Sequence, residues 1–335
     1  MQSRFTKLAQ NRAAHLASAS LCLSALLAGP TLAQNMTPAQ ASPLDMVNAL
    51  HTAFGEHHAR AVHTKGVMLE GTFTPASTGR GLTSEPIFTG GSLPIVARFS
   101  LFAGVPTLPD NDDGASPAGF AVKIKEKTGD DFDIESNQHR DFIVATSDDF
   151  RTFLLAAGAA GKGNKATLEA FLAGHPHAKQ FLASRTYPVS YARATYFGVN
   201  SVKFTNRQGA SAFVRYRFVP RAGETYLTAE QRKAASANYL QDEVAQRVAK
   251  EPIVFDWYAQ ISGPGDKIED PSIAWPESRR MVKLGTFKLT RMTAAPKSEQ
   301  TLLFLPGQLH KGVEPADPML VLRNIAYPIS LGQRQ

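Results

Sequence analysis

The sequence predicts an α+β protein whose strands form an antiparallel sheet or barrel. Short apolar or alternating runs, punctuated by Gly, Pro and Asp, recur between residues 60 and 145. Residues 148–185 then take a helical pattern, and strand-like runs return beyond residue 195. Strands gathered in groups and followed by helices, rather than alternating with them one by one, disfavour a parallel sheet. With 335 residues, 43% hydrophobic and 19% charged, the chain is long and apolar enough for one large core. The sequence has no internal repeat, no low-complexity tract and no clean domain boundary.

The first 33 residues stand apart from that fold. Arg4, Lys7 and Arg12 make a positive start, Leu16 to Leu27 is apolar, and Gly29-Pro30-Thr31-Leu32-Ala33 offers small residues to a signal peptidase. The apolar stretch is too short and too serine-rich for a spanning helix. It reads as an export signal cut near Ala33, which implies a periplasmic protein. Residues 34–41 read as a flexible lead-in, and residues 42–335 as one domain. Ser42-Pro43-Leu44-Asp45 opens a helix with a serine N-cap, proline first and an acid third, expected to reach about Phe54. Strands are expected over Gly66–Phe73, Pro94–Ser100, Phe120–Lys125, Phe132–Ile134 and Phe142–Ala145. Asp148-Asp149 open a helical region to about Arg185, broken at Gly161-Lys162-Gly163 and His175-Pro176. Thr195–Thr205 and Ala212–Val219 flank Asn206-Arg207-Gln208-Gly209 as a hairpin. A polar helix over Thr228–Lys250, strands over Ile253–Ile261 and Arg280–Thr290, and a helical end carrying Tyr327 complete the reading.

Composition excludes several chemistries. The one cysteine, Cys22, lies inside the signal, so the remainder can form no disulfide, Cys-zinc site, iron–sulfur cluster or thiol nucleophile. Part of the +7 charge belongs to the signal, and the other basic residues are scattered. Arg279-Arg280 with Lys283 reads as a solvated surface, and nothing points to nucleic acid. His57-His58 and His175-Pro176-His177 are poor metal sites, because adjacent histidines in an extended chain point apart.

A few residues carry chemistry. Arg323 and Tyr327, in Arg323-Asn324-Ile325-Ala326-Tyr327-Pro328, lie one turn apart on one helix face. A free phenol, with a pKa of about 10, ligates metal poorly at neutral pH, and a guanidinium beside it favours the phenolate. Such a pair can hold a tyrosinate under a haem iron, although the same spacing is common as a structural contact. His63, directly before a strand, is placed for general acid–base work or for an ordinary half-buried packing role. Ser100 can orient an imidazole, and Arg98 can bind a carboxylate or simply end a strand. Asn137 reads as a turn residue. Phe150 reads as helix core or as a ring stacked on a porphyrin.

Taken in order, these segments resemble the haem catalase superfamily, and within it the short catalase-related peroxidases. The resemblance rests on Val62-His63-Thr64-Lys65-Gly66, Arg98-Phe99-Ser100, Pro117-Ala118-Gly119-Phe120-Ala121-Val122-Lys123 and Asp133-Ile134-Glu135-Ser136-Asn137. It continues through the interval from Asn137 to Phe150, then Lys311-Gly312-Val313-Glu314-Pro315, Asp317-Pro318-Met319-Leu320, and Arg323 to Tyr327-Pro328. It covers roughly residues 45–335. It implies a catalase-like antiparallel barrel of about eight strands with surrounding helices, and haem b with an axial tyrosinate. His63 is implied as the distal acid–base, Asn137 as the donor that positions peroxide, and Ser100 as the residue that orients His63. Val62 is implied to narrow the space above the iron, Phe150 to stack on the porphyrin and Phe142 to line the approach. Tyr327 is implied as the axial ligand, stabilised by Arg323. Arg60, Arg98 and Arg334 are implied as propionate partners.

The sequence departs from a typical catalase in several places. Ser116 stands where the access channel carries a carboxylate, and Phe102 where a smaller aliphatic residue is usual. Ile329-Ser330-Leu331-Gly332 lacks the histidine-rich continuation. The wrapping segment, helical domain and long N-terminal arm of monofunctional catalases are expected to be absent, which opens the haem edge to organic reductants. The implied activity is a haem peroxidase acting on hydrogen or organic peroxides, with weak catalase activity. The implied partners are hydrogen peroxide and a small organic reductant. They would be met by a monomer or dimer that binds no nucleic acid and, once the signal is cut, no membrane. The alternatives are a true peroxide dismutase, a fatty-acid hydroperoxide converter and a periplasmic haem carrier. Val62, where hydroperoxide converters typically have threonine, argues against the second. A carrier gives no purpose to His63 and Asn137.

Overall fold

The computed structural model describes residues 41–126, 129–294 and 300–334. The expected export signal and most of the lead-in lie outside them. Among the described residues, no helix is long and apolar enough to cross a membrane. Among the described residues nine strands are formed: β1 (Gly66–Pro75), β2 (Leu93–Ser100), β3 (Gly119–Ile124), β4 (Phe132–Asn137), β5 (Tyr196–Thr205), β6 (Ser211–Pro220), β7 (Ile253–Ile261), β8 (Met281–Met292) and β9 (Val313–Pro315). The helices are α1 (Pro43–Phe54), α2 (Gly79–Leu82), α3 (Ser147–Gly161), α4 (Lys165–Gly174), α5 (Pro176–Ala183), α6 (Ala229–Ala234), α7 (Tyr239–Lys250) and α8 (Pro318–Gly332).

Strand order β4-β3-β2-β1-β8-β7-β6-β5, antiparallel throughout, closes into an eight-stranded barrel where Asn137 of β4 pairs with Phe197 of β5. Closure removes the unpaired edges that an open sheet leaves. The short β9 adds to the flank of β5. Alternation along each strand sends one face inward, and the barrel interior is filled by rings such as Phe99, Phe120, Phe218, Phe255, Trp257 and Phe287. Phe99 stacks on Phe120 at 4.8 Å and on Tyr191 at 5.1 Å. This interior is solid.

A second apolar cluster lies among the helices and the loop segments at Ala61 and Ile143-Val144. It joins Val47 and Leu50 of α1, Phe153 and Leu154 of α3, and Ala326 of α8. α1 starts as its sequence dictates: Ser42 Oγ accepts from Asp45 N at 3.1 Å, and the Asp45 carboxylate accepts from Ser42 N at 3.2 Å. The helical region ends α3 at Gly161 and starts α5 at Pro176, where Gly and Pro predict breaks.

Two expectations fail. Phe142–Ala145 is not a strand. Ile143 and Val144 both pack into the helical cluster, and Phe142 N donates to Pro271 O at 2.9 Å, so the run is buried without a ladder partner. The helix expected over Thr228–Lys250 is two helices, separated around Ala237. The carbonyl of Ala237 accepts from Asp110 N at 2.9 Å and from Lys65 Nζ at 2.8 Å. Those tertiary bonds replace the intrahelical one that would have continued the helix.

Candidate active site

One register row crosses five strands at an end of the barrel. Gly66 pairs with Ser100, Ser100 with Gly119, Gly119 with Asn137, and Asn137 with Phe197. His63 stands three residues before that row, in the left-handed region with φ +58°. For a histidine this conformation costs about 1–3 kcal/mol and persists only where surroundings fix it. They do. His63 N donates to Phe102 O at 2.8 Å, and Arg98 donates from Nη1 to His63 O at 2.7 Å and from Nη2 to Thr64 O at 2.9 Å. Buried Lys65 pairs with Asp110 at 2.8 Å. Arg98, implied as a propionate partner, thus braces the backbone of His63 with two of its nitrogens.

The imidazole is fixed as firmly as the backbone. Its Nδ1 lies 2.8 Å from Leu101 O and 3.1 Å from Ser100 Oγ. A carbonyl only accepts, so Nδ1 carries the hydrogen of the neutral ring and Nε2 keeps the lone pair. Burial pushes the His63 pKa down to about 3, against the pull of the Leu101 bond and with help from Arg98, Arg323 and Arg60. The ring is therefore a neutral base at pH 7. Gly119 makes room for it: a Cβ there would sit 2.8 Å from Ser100 Oγ and 2.9 Å from His63 Nδ1. Asn137 Oδ1 accepts from His139 N at 2.7 Å, which leaves its Nδ2 hydrogens as the available donors.

The opposite side is built on α8. Asp317 caps it by accepting from Met319 N at 2.8 Å, and Pro318 takes the first turn. Arg323 donates to the Tyr327 hydroxyl from Nε at 2.9 Å and from Nη2 at 2.6 Å. Tyr327 in turn donates to Glu135 Oε2 at 2.7 Å, and Arg323 also pairs with Glu135. Arg323 Nη1 donates to Asn200 Oδ1 at 2.7 Å, and Asn200 Nδ2 to Asp317 Oδ2 at 2.7 Å. Burial raises the Tyr327 pKa above the usual phenol value; Arg323 opposes the rise and Glu135 adds to it.

Between the two sides is a cavity of about 340 Å³, within the range of small-molecule and cofactor sites. All eleven site residues named from the sequence line it: His63, Ser100, Asn137, Arg60, Val62, Arg98, Phe142, Phe150, Arg323, Arg334 and Tyr327. Phe142 meets Phe150 edge-on at 4.9 Å. Phe102 stands edge-on to His63 at 5.6 Å and to Phe54 at 6.0 Å, so it forms part of the wall beside the base. Ser116 Oγ donates to Thr186 O at 3.1 Å. Arg60 and Arg334, far apart in sequence, converge on one carbonyl: Arg60 Nη2 lies 2.9 Å and Arg334 Nη1 3.4 Å from Leu302 O.

Sequence reasoning missed Glu135, Asn200 and the bracing role of Arg98. Glu135 was within reach. It precedes Asn137 by two on a strand, so alternation puts both on one face. Asn200 carries no local signal, because its partners come from α8. In this state the phenol holds a proton that its carboxylate neighbour is placed to take.

The catalase family model matches residues 46–334. A catalase-related peroxidase of Synechococcus elongatus is 32% identical over 302 residues, covering 88% of both chains. Another, of Mycolicibacterium paratuberculosis, is 32% identical over 305 residues, covering 89% of this chain and 95% of its own. Among solved structures, a fungal catalase superposes with a TM-score of 0.74 at 20% identity, covering 82% of this chain. The chain spans 59% of that catalase's length. Fold, site geometry and relatives agree: this chain belongs to the catalase family.

Proposed function

We propose that the protein is a haem-dependent peroxidase that reduces hydrogen peroxide with a small organic donor. The single observation that carries the reading is one cavity with a neutral imidazole and a carboxamide donor on one side and an arginine-bound phenol on the other. The residues fit haem b. Tyr327 offers an oxygen ligand, Phe150 and Val62 offer apolar faces, and Arg60 and Arg334 form a paired cationic rim suited to its carboxylates. When bound, haem supplies the iron redox chemistry that cleaves a peroxide O–O bond.

The chain supplies protons and position. His63 Nε2, unprotonated because Nδ1 is held by Leu101, accepts the first peroxide proton and returns it to the departing oxygen. Asn137 Nδ2 donates to the peroxide and fixes its orientation. Glu135 receives the Tyr327 hydroxyl proton along the existing 2.7 Å bond, and Arg323 stabilises the phenolate left behind. The relatives named as catalase-related peroxidases support donor oxidation over dismutation, and the export reading of residues 1–33 supports a periplasmic location.

Steady-state turnover with and without a phenolic donor tests the reading. Donor-dependent peroxide consumption is expected. Vigorous oxygen release without donor oxidation would instead assign a dismutase, and failure to give a Soret band with haem would remove the cofactor.

A further inference from the structure

Away from the cavity, three residues from distant segments meet at the flank of the barrel. Glu85 precedes the short turn at Pro86–Phe88, Glu126 follows β3, and His310 lies in the loop that leads to β9. One ligand atom from each lies within 4.8 Å of the others. Glu85 is fully buried, and the side chains of Glu126 and His310 are only 9% and 17% exposed. Such burial is costly for two carboxylates unless a partner neutralises them.

Their protein partners do not suffice. Glu85 Oε1 accepts from Ile87 N at 3.4 Å, a long bond. Glu85 Oε2, Glu126 Oε1 and His310 Nε2 are buried with no hydrogen-bond partner. His310 Nδ1 lies 3.3 Å from Glu85 Oε1 and 3.6 Å from Glu126 Oε1. Those are long for charge-assisted hydrogen bonds, which run about 2.7–2.9 Å. Both separations equal the edge, roughly 3.3–3.6 Å, of a tetrahedron whose centre is about 2.0–2.2 Å from each donor, the bond length of zinc to nitrogen and oxygen.

The segments are also held together before any ion arrives. Thr83 Oγ1 donates to Gly312 O at 2.8 Å, Ser84 N to Thr205 O at 2.9 Å, and Thr205 N to Gly312 O at 2.8 Å. These bonds fix Glu85 and His310 on a shared frame. His310 is further packed edge-on against Phe132 at 6.0 Å.

We infer that Glu85, Glu126 and His310 form a second, non-haem site for a divalent transition metal of the zinc class, with one position left to water. One imidazole and two carboxylates are an ordinary donor set for that ion, and its charge cancels both acids. The loop bearing His310 runs on into β9 and α8, so the ion would clamp the segment that carries Tyr327 to the barrel. Its role is structural.

The full chain, stripped with a chelator, would be titrated with Zn²⁺ alone by calorimetry, with metal content and melting temperature read in parallel. One tightly bound equivalent and a raised melting temperature are expected. His310→Ala should lose that equivalent. Glu126→Gln, at the less buried of the two carboxylates, should also lose it, and it carries the test if the alanine variant fails to fold. Absence of stoichiometric uptake by the parent protein, or uptake that survives Glu126→Gln unchanged, would overturn the site and leave a proton shared among the three side chains.

Discussion

Gly119→Ala should disable the distal base while leaving the other wall of the cavity intact. The added Cβ would lie 2.8 Å from Ser100 Oγ, 2.9 Å from His63 Nδ1 and 3.0 Å from His63 Cε1. Ordinary contact begins at 3.4 Å, so the serine or the ring must move by about 0.5 Å. Neither moves freely, since the left-handed backbone of His63 is held by Phe102 and Arg98. Overpacking of this kind costs about 1–3 kcal/mol. A ring shift of that size takes the 2.8 Å bond to Leu101 toward the edge of hydrogen-bond range. Because a misplacement of about 1 Å can cost a hundredfold in rate, at least a tenfold loss is expected in the reaction with peroxide. Stopped-flow mixing of haem-loaded protein with peroxide reads the rate, and thermal unfolding reads the strain. Gly161→Ala, where an added Cβ meets nothing within 4 Å, is the control. If Gly119→Ala reacts at the parent rate and melts with the control, the packing argument is wrong.

Other expectations follow from the same geometry. The rate of reaction with peroxide should stay flat from pH 7 down to about pH 4, because His63 remains neutral until its depressed pKa of about 3 is approached; a break near pH 6.5 would refute the assigned burial. Glu135→Gln should let Tyr327 titrate at lower pH in the haem-free protein, since Glu135 raises the phenol, and it should destabilise by about 1–3 kcal/mol through loss of the charge-assisted bond to half-buried Arg323. Ultraviolet alkaline titration against Tyr327→Phe measures the first effect. Tyr191, Tyr196, Tyr216 and Tyr327 are all raised above the usual phenol range, chiefly by burial. Their contribution is complete below about pH 10, the unfolded value, and disappears as pH climbs toward the folded values. Urea midpoints should therefore fall above pH 10, and a constant midpoint up to pH 11.5 would contradict this.

Much of the architecture was legible because it is local. The Ser-Pro-x-Asp start of α1, the glycine and proline breaks around α4 and the hairpin of β5 and β6 all follow from short-range chemistry. Phe142–Ala145 misled because an apolar run buried on both sides looks the same whether it pairs or not. The split near Ala237 was invisible because Lys65 and Asp110, which take its carbonyl, are far away in sequence. In the site, motif order located His63, Asn137 and Tyr327. The proton arrangement around Tyr327 was not readable, since it depends on Glu135 and Asn200 arriving from two other strands.

Closure of the barrel has a consequence for how the protein can fail. Seven of the seams between neighbouring strands are runs of several paired residues, whereas β4 and β5 meet through the single pair Asn137–Phe197. The weakest seam thus coincides with the carboxamide proposed to position peroxide. Transient opening there would unseat Asn137 before any other strand lets go. Amide exchange at Asn137 and Phe197 should then run ahead of the rest of the barrel, and oxidant capacity should decline on heating well before the core rings lose their packing.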